Sequence, residues 1–287
     1  MEVSPDLWPA LFLTFGLFLA VGFFAQLVDG AVGMAYGVIS SSVLLFFGVP
    51  PAQASATIHA AECFTTGASG LSHITHRNID WRLFFRLAPA GIVGGVIGAY
   101  LLTGFDPTFI KAVVVAYLGA MGLLMLWRAL GPQKEEPPHL NHVVPLGVAG
   151  GFLDASGGGG WGPVVTSTLL GRGHAPRYVI GSVNAAEFFV TVAISATFLG
   201  AMVTGRMDLG GNDQIAQGLA ALLGLVLGGL IAAPLAGYVT KVAPARWLLS
   251  AAAVLVISLS VWQGVRLWPQ LLEEPIVQRI TQALALR

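Results

Sequence analysis

The sequence predicts an all-α polytopic membrane protein made of two inverted structural repeats, each a broken or re-entrant helical hairpin plus about three full spans. Three observations predict it. Hydrophobic residues make up 55% of the 287 positions and charged residues only 10%, where an ordinary globular chain carries about 25% charged. Long apolar stretches recur along the chain, and one segment of the first half matches one of the second without gaps. Charges this sparse cannot cover a soluble protein, so the lipid bilayer is the expected solvent and partner. Fourteen basic and fourteen acidic side chains give zero formal charge, which excludes disorder and nucleic-acid binding. The single Cys63 cannot form a disulfide within the chain.

A span needs about 20 mostly apolar residues. Residues 7–28 carry no charge and, with no basic segment ahead of them, read as a retained span rather than a cleaved signal. Residues 31–47 are too short for an ordinary span. Residues 52–76 are long enough but carry polar groups, and 87–105 and 107–127 qualify, the latter with only Lys111. The stretch 131–142, rich in proline and charge, is the one clear linker, so 1–130 and 143–268 are the expected repeats. In the second repeat, 143–170 is broken by Gly157 to Gly160, 177–203 again carries polar groups, and 214–240 and 247–265 qualify. In the tail at 269–287, Ile276, Ile280 and Leu284 recur every fourth residue, the pattern of a short interfacial helix. Trp8, Trp81, Trp127, Trp247, Trp262 and Trp268 sit near span ends, where the indole ring is an interfacial anchor.

Sliding the second half against the first by 125 positions aligns 29–66 with 154–191. Thirteen of the thirty-eight positions are identical, including Asp29 with Asp154, Gly33 with Gly158, Gly37 with Gly162, Pro51 with Pro176 and Glu62 with Glu187. Chance similarity between apolar helices favours Leu, Ala and Val instead. Charge placement then argues for inversion, because cytoplasmic loops are enriched in Lys and Arg. The turn at 48–51 has no charge and its counterpart has Arg172 and Arg177. The next loop has Arg77, Arg82 and Arg86, against Arg206 offset by Asp208 and Asp213. The turn at 103–106 has no base, against Lys241 and Arg246. Every matched loop swaps its bias, which places the linker in the cytoplasm and both termini outside.

The glycine segments come first for chemistry. Four successive glycines cannot hold a regular helix, each costing about 1 kcal/mol relative to alanine. Unwound backbone at membrane depth persists only when buried in protein or lining a watery cavity. Its free amides suit an anion, and paired broken helices in two repeats mark a transporter's central site. The plainer reading is that the glycines only permit close helix packing. Asp29 and Asp154 precede the breaks; capping is the favoured role, since a carboxylate repels an anion. Trp161, between glycines, is placed to wall a cavity. Ser55, His59, Glu62, Thr66, Ser69 and His73 form one stripe on a helix, matched by Asn184, Glu187, Thr191 and Ser195. An ionisable group near the bilayer centre usually marks a pathway or relay, while the bland alternative is helix fastening. His59 and Glu62 share a face as metal ligands do, but Asn184 is a poor substitute ligand, so neither a metal nor a cofactor is expected. No Ser–His–Asp or Cys–His set emerges, and the chain does not read as an enzyme.

The segment 151–165 (GFLDASGGGGWGPVV), the duplication, and Gly181-Ser182-Val183-Asn184 leading into a polar helix resemble the TauE/SafE family of bacterial inner-membrane proteins, the sulfite and organosulfonate exporters. The resemblance covers roughly residues 10–266. The first copy departs from the usual form, with Val38 where Pro163 stands. The resemblance implies secondary transport, usually outward, of a small sulfur-containing anion, by a protein of the bacterial inner membrane. Beside it, the residues give a midplane anion site. Amides around Gly33–Gly37 and across Gly158, Gly159, Gly160 and Gly162 are its donors, with Ser40, Ser41, Thr57, Ser182 and Asn184 as neutral additions. His59, Glu62 and Glu187 are the candidates for a coupling proton. A passive anion channel, an intramembrane enzyme, a subunit of a larger complex and a homo-oligomer all remain open at this point.

Overall fold

The structure, a computed structural model, describes residues 7–105, 107–131, 142–171, 176–242 and 245–273. Most of the linker, the turn holding Arg172 and the tail from residue 274 lie outside the described residues. The described chain is helical throughout: α1 (Leu7–Val32), α2 (Tyr36–Phe46), α3 (Pro51–Thr75), α4 (Trp81–Leu102), α5 (Pro107–Leu130) and α6 (Val143–Gly157) come first. A π-helical segment (Trp161–Thr166) then runs into α7 (Ser167–Gly171), followed by α8 (Pro176–Val203), α9 (Asn212–Val242) and α10 (Ala245–Glu273).

Six of these helices, α1, α4, α5, α8, α9 and α10, are long and apolar enough to cross a membrane. The protein is an all-α polytopic membrane protein. Its outer surface agrees, since Phe12, Leu13, Leu123, Val203 and Val265 point outward with more than half of each side chain exposed. In water such a belt would drive aggregation; in lipid it is solvated. The six span-end tryptophans are exposed as well, whereas Trp161 is fully buried. With 25 residues, α3 matches the others in length; its polar stripe lowers its hydropathy.

Local sequence explains the boundaries. Pro51 opens α3 and Pro107 opens α5, positions where the missing N–H has no intrahelical partner to lose. α4 starts at Trp81, six residues ahead of the apolar stretch, because Asp80 Oδ1 accepts from the N–H groups of Arg82 (2.9 Å) and Leu83 (3.3 Å). Arg82 and Arg86 therefore lie within its first turns. The two breaks fall at equivalent places, α1 ending at 32 and α6 at 157, with helix resuming at 36 and 161. The copies differ where their sequences do. Pro163 lacks an N–H and sits in the π-helical segment, whereas Val38 lies within regular helix.

Glycines set the closest pairings. α1 packs along α9, Gly22 against the backbone of Leu225 and Gly228 against that of Leu19 and Phe23. α6 packs along α4, Gly151 against Gly91 and Gly98 against Phe152. Both pairs run parallel, and each joins a helix of one half to a helix of the other. The equivalent helices α3 and α8 run antiparallel, Cys63 lying near Thr191 and Ser195 while Gly70 meets Ala185. α5 and α10 are also antiparallel, with Gly119 against Ser260 and Gly122 against Ile257.

Gly91 also makes the slot for Trp161. A methyl on it would lie 2.5 Å from two ring carbons and 2.7 Å from Val190. Gly91→Ala is therefore expected to destabilise by about 1–3 kcal/mol through overpacking. Thermal unfolding of the purified protein, compared with Gly218→Ala, where a methyl meets nothing within 4 Å, measures it.

Candidate functional site

Each break turns on one glycine in the left-handed region, Gly33 at φ +74° and Gly158 at φ +69°, a conformation only glycine adopts freely. The residue four positions earlier then closes the turn. Asp29 Oδ1 accepts from the N–H of Ala35 (2.7 Å) and Tyr36 (3.2 Å). Asp154 Oδ1 accepts from the N–H of Gly160 (2.7 Å) and Trp161 (3.0 Å). These atoms correspond one to one at the 125-residue offset. Four of the amides offered to an anion by the sequence, those of Ala35, Tyr36, Gly160 and Trp161, are thus held by the protein's own carboxylates, and the N–H groups of Gly33 and Gly158 are taken by the carbonyls of Asp29 and Asp154. Gly37 and Gly162, in the first turns beyond the breaks, have N–H groups without intrahelical partners.

The two hairpins meet. A methyl on Gly37 would stand 2.6 Å from the Gly158 carbonyl oxygen and 2.7 Å from Gly159 Cα. Gly162 abuts Met34 and the Gly33 carbonyl in the same way. Hydroxyls satisfy the carbonyls left at the end of α6: Ser41 Oγ donates to Gly157 O and Ser55 Oγ to Ala155 O, each at 2.6 Å. The expected helix breaks are therefore in backbone contact at the centre of the molecule.

Beside this crossing lies a cavity of about 10 Å³, lined by Asp29, Glu62, Asp154 and Glu187 together with Tyr36, Asn184 and residues of both breaks. It has room for about one water molecule. Four carboxyl groups face this space, and none of its described lining residues is Lys or Arg. Glu62 is buried, its Oε2 without a hydrogen-bond partner, while its Oε1 reaches toward Gly37. His59 Nδ1 lies 2.7 Å from Ser55 O and His59 Nε2 lies 3.2 Å from Asp154 Oδ2. His59, Glu62 and Asp154 bring ligand-type atoms within 4.8 Å of one another. The spacing of His59 and Glu62 gave two of these; Asp154, 95 residues from His59, arrives from another helix.

The remaining candidates divide. Asn184 lines the cavity but is bonded to Ser69 and Ile180 O. Ser40 is fully buried and its hydroxyl has no partner. Thr57 donates to Gln53 O and Ser182 bonds the backbone of Asp80, so both hydroxyls are engaged outside the cavity lining. Trp161 turns away into its slot, with Nε1 donating to Val183 O. Sequence reasoning missed Tyr117, whose hydroxyl stands against Gly160 without a partner. Its one signal was a phenol in the middle of an otherwise apolar span.

Comparison with known proteins agrees with this architecture. Residues 18–263 match the family model described as sulfite exporter TauE/SafE. The chain is 40% identical over 232 residues to the "Probable membrane transporter protein YtnM" of Bacillus subtilis (strain 168), an alignment covering 78% of this chain and 74% of that protein. No solved structure matches the chain. The chain belongs to the sulfite exporter TauE/SafE family and is a multi-pass membrane transporter.

Proposed function

We propose, from that family membership, that the protein is a secondary transporter carrying a small sulfur-containing anion, sulfite or an organosulfonate, outward by alternating access with proton coupling. The observation that carries this reading is the pair of crossing helix breaks beside a small cavity with four carboxyl groups and, among the described residues, no Lys or Arg in its lining. An anion cannot sit among unneutralised carboxylates without large repulsion. Positive charge has to accompany it, and protons on Glu62, Glu187 or His59 supply that charge where no basic side chain does. The N–H groups of Gly37, Gly162 and their neighbours then act as donors to the anion. The antiparallel course of α3 against α8 and of α5 against α10 supports an inverted pair of repeats. Arg177 bonds Asn78 and His76 O, so the basic loop after α3 and the basic turn before α8 share one end of the bundle. That end is the cytoplasmic one in this reading, with both termini on the opposite face.

Proteoliposome flux tests it. Labelled sulfite or a sulfonate is expected to show counterflow, its entry accelerated several-fold by unlabelled substrate inside, which a passive channel does not do. Acidifying the substrate side is expected to speed entry. Glu62→Gln and Glu187→Gln are each expected to lose that response to the pH gradient, since a fixed amide cannot exchange a proton. Flux indifferent to pH in the unaltered protein would remove the coupling.

A further inference from the structure

We propose that the first turns of α4 hold an anionic phospholipid, with the Arg82 and Arg86 guanidinium groups on its phosphate and the Trp81 and Phe85 rings along its apolar part. A groove of about 480 Å³ is lined by these four side chains. The two arginines are four residues apart, as are the two aromatic residues. Each pair therefore lies along one strip of the helix surface, its members about 6 Å apart along the axis. The Trp81 and Phe85 rings, with centroids 6.0 Å apart, form one wall. Both remain open, at 50% and 67% exposure. The slot is basic along one row and apolar along the other, which matches the two halves of a phospholipid.

Its depth suits that ligand. α4 is a membrane-length helix beginning at Trp81, and an exposed tryptophan at a span end marks the headgroup level. Arg86 lies one turn further into the span and is exposed on its outer surface. A guanidinium facing lipid there is costly unless it reaches the interface and meets a counter-charge. The protein supplies none. Among the described residues, neither the Arg82 nor the Arg86 side chain has a hydrogen bond, ion pair or ring contact. The Asp80 carboxylate accepts from the backbone N–H groups of Arg82 and Leu83 instead. A phosphodiester is the anion that the headgroup layer offers, and arginine meets its oxygens with paired N–H donors.

Other arginines of the chain supply an internal comparison. Arg206 stacks 4.0 Å from the Tyr100 ring and donates to its hydroxyl at 2.7 Å. Arg266 lies 4.7 Å over Trp262, and Arg177 bonds Asn78 and His76 O. Each of these has its partner within the chain, whereas Arg82 and Arg86 leave their donors to something outside it. The loop equivalent to theirs in the second repeat carries Asp208 and Asp213, so the slot belongs to one end of the bundle.

The test needs no transported substrate and stands apart from the transport reading. The full chain, stripped of lipid in neutral detergent, is titrated with phosphatidylglycerol or phosphatidylcholine of equal chain length and weighed by native mass spectrometry. Phosphatidylglycerol is expected to be retained several-fold more strongly. Arg82→Gln with Arg86→Gln is expected to weaken that retention by about tenfold or more. Arg206→Gln with Arg266→Gln removes the same charge from partnered positions and is expected to leave it unchanged. Retention that does not distinguish the two lipids, or equal loss in the two double variants, overturns the proposal. So does displacement of the lipid by millimolar inorganic phosphate, since the slot then takes a free anion. A second readout leaves both arginines in place. In phosphatidylcholine vesicles, phosphatidylglycerol with brominated chains is expected to quench tryptophan fluorescence more than brominated phosphatidylcholine does, and Trp81→Phe to remove the excess. An excess that survives Trp81→Phe places the lipid elsewhere and overturns the proposal as well.

Discussion

Gly159→Ala is expected to abolish transport and to lower the thermal unfolding midpoint more than any other single methyl addition considered above. The added carbon would lie 2.5 Å from the Gly37 carbonyl carbon and 2.7 Å from Val38 Cα, and closer still to the Val38 nitrogen. These are backbone atoms held within the first turn of α2, so no rotamer change relieves them. Overpacking against movable side chains costs about 1–3 kcal/mol, and a clash with fixed backbone belongs at or above the upper end. Relief requires the hairpins to separate, which is the loss of the site. Gly264→Ala is the control, since a methyl there meets nothing within 4 Å. Alanine is also the better helix former by about 0.5–1 kcal/mol. Unfolding midpoints in detergent and counterflow in proteoliposomes are the two readouts. A Gly159→Ala protein behaving like the unaltered one would mean that the hairpins do not touch.

Asp154→Ala is expected to be the second most damaging change, and clearly worse than Asp29→Ala although the two aspartates are equivalent in sequence. Each substitution removes a carboxylate that accepts two backbone N–H groups, a capping loss of about 0.5–2 kcal/mol. Asp154→Ala alone also strips the Nε2 partner from a fully buried His59, and a stranded buried polar group costs about 1–3 kcal/mol more. The expected totals are about 3 kcal/mol against about 1 kcal/mol. Thermal unfolding of the two variants side by side measures the gap, and equal midpoints would show that the histidine contact contributes nothing.

Much of this architecture was legible because the residues that recur at the 125-residue offset are ones that helix packing alone does not select. Asp29, Gly33, Gly37 and Glu62 return as Asp154, Gly158, Gly162 and Glu187, and both breaks, both caps and both glutamates fall where that offset puts them. Periodicity also told which face of α3 is polar. It did not tell what that face meets. His59 reaching Asp154, Ser41 reaching Gly157 and Tyr117 reaching Gly160 are contacts between distant segments, and one helix's spacing carries no information about its neighbour. The loss of Thr57 and Ser182 from the site has a similar origin. A hydroxyl finds whichever carbonyl or amide is nearest, for Thr57 the Gln53 oxygen one turn back and for Ser182 the backbone of Asp80. Pro163, by contrast, was visible as a departure between the copies, and it lies where the second copy winds as a π-helix while the first, with Val38, is regular helix.

The pairing of α1 with α9 and of α4 with α6 has a consequence for biogenesis. α1 leaves the ribosome well ahead of its main partner, which begins only at Asn212. During synthesis its glycine-notched flank is left to lipid or to an insertion chaperone until most of the polypeptide has been threaded into the bilayer. A chain stopped at the central linker is expected to lack the partners of both α1 and α4. The two halves exchange helices with one another, so neither is expected to mature alone.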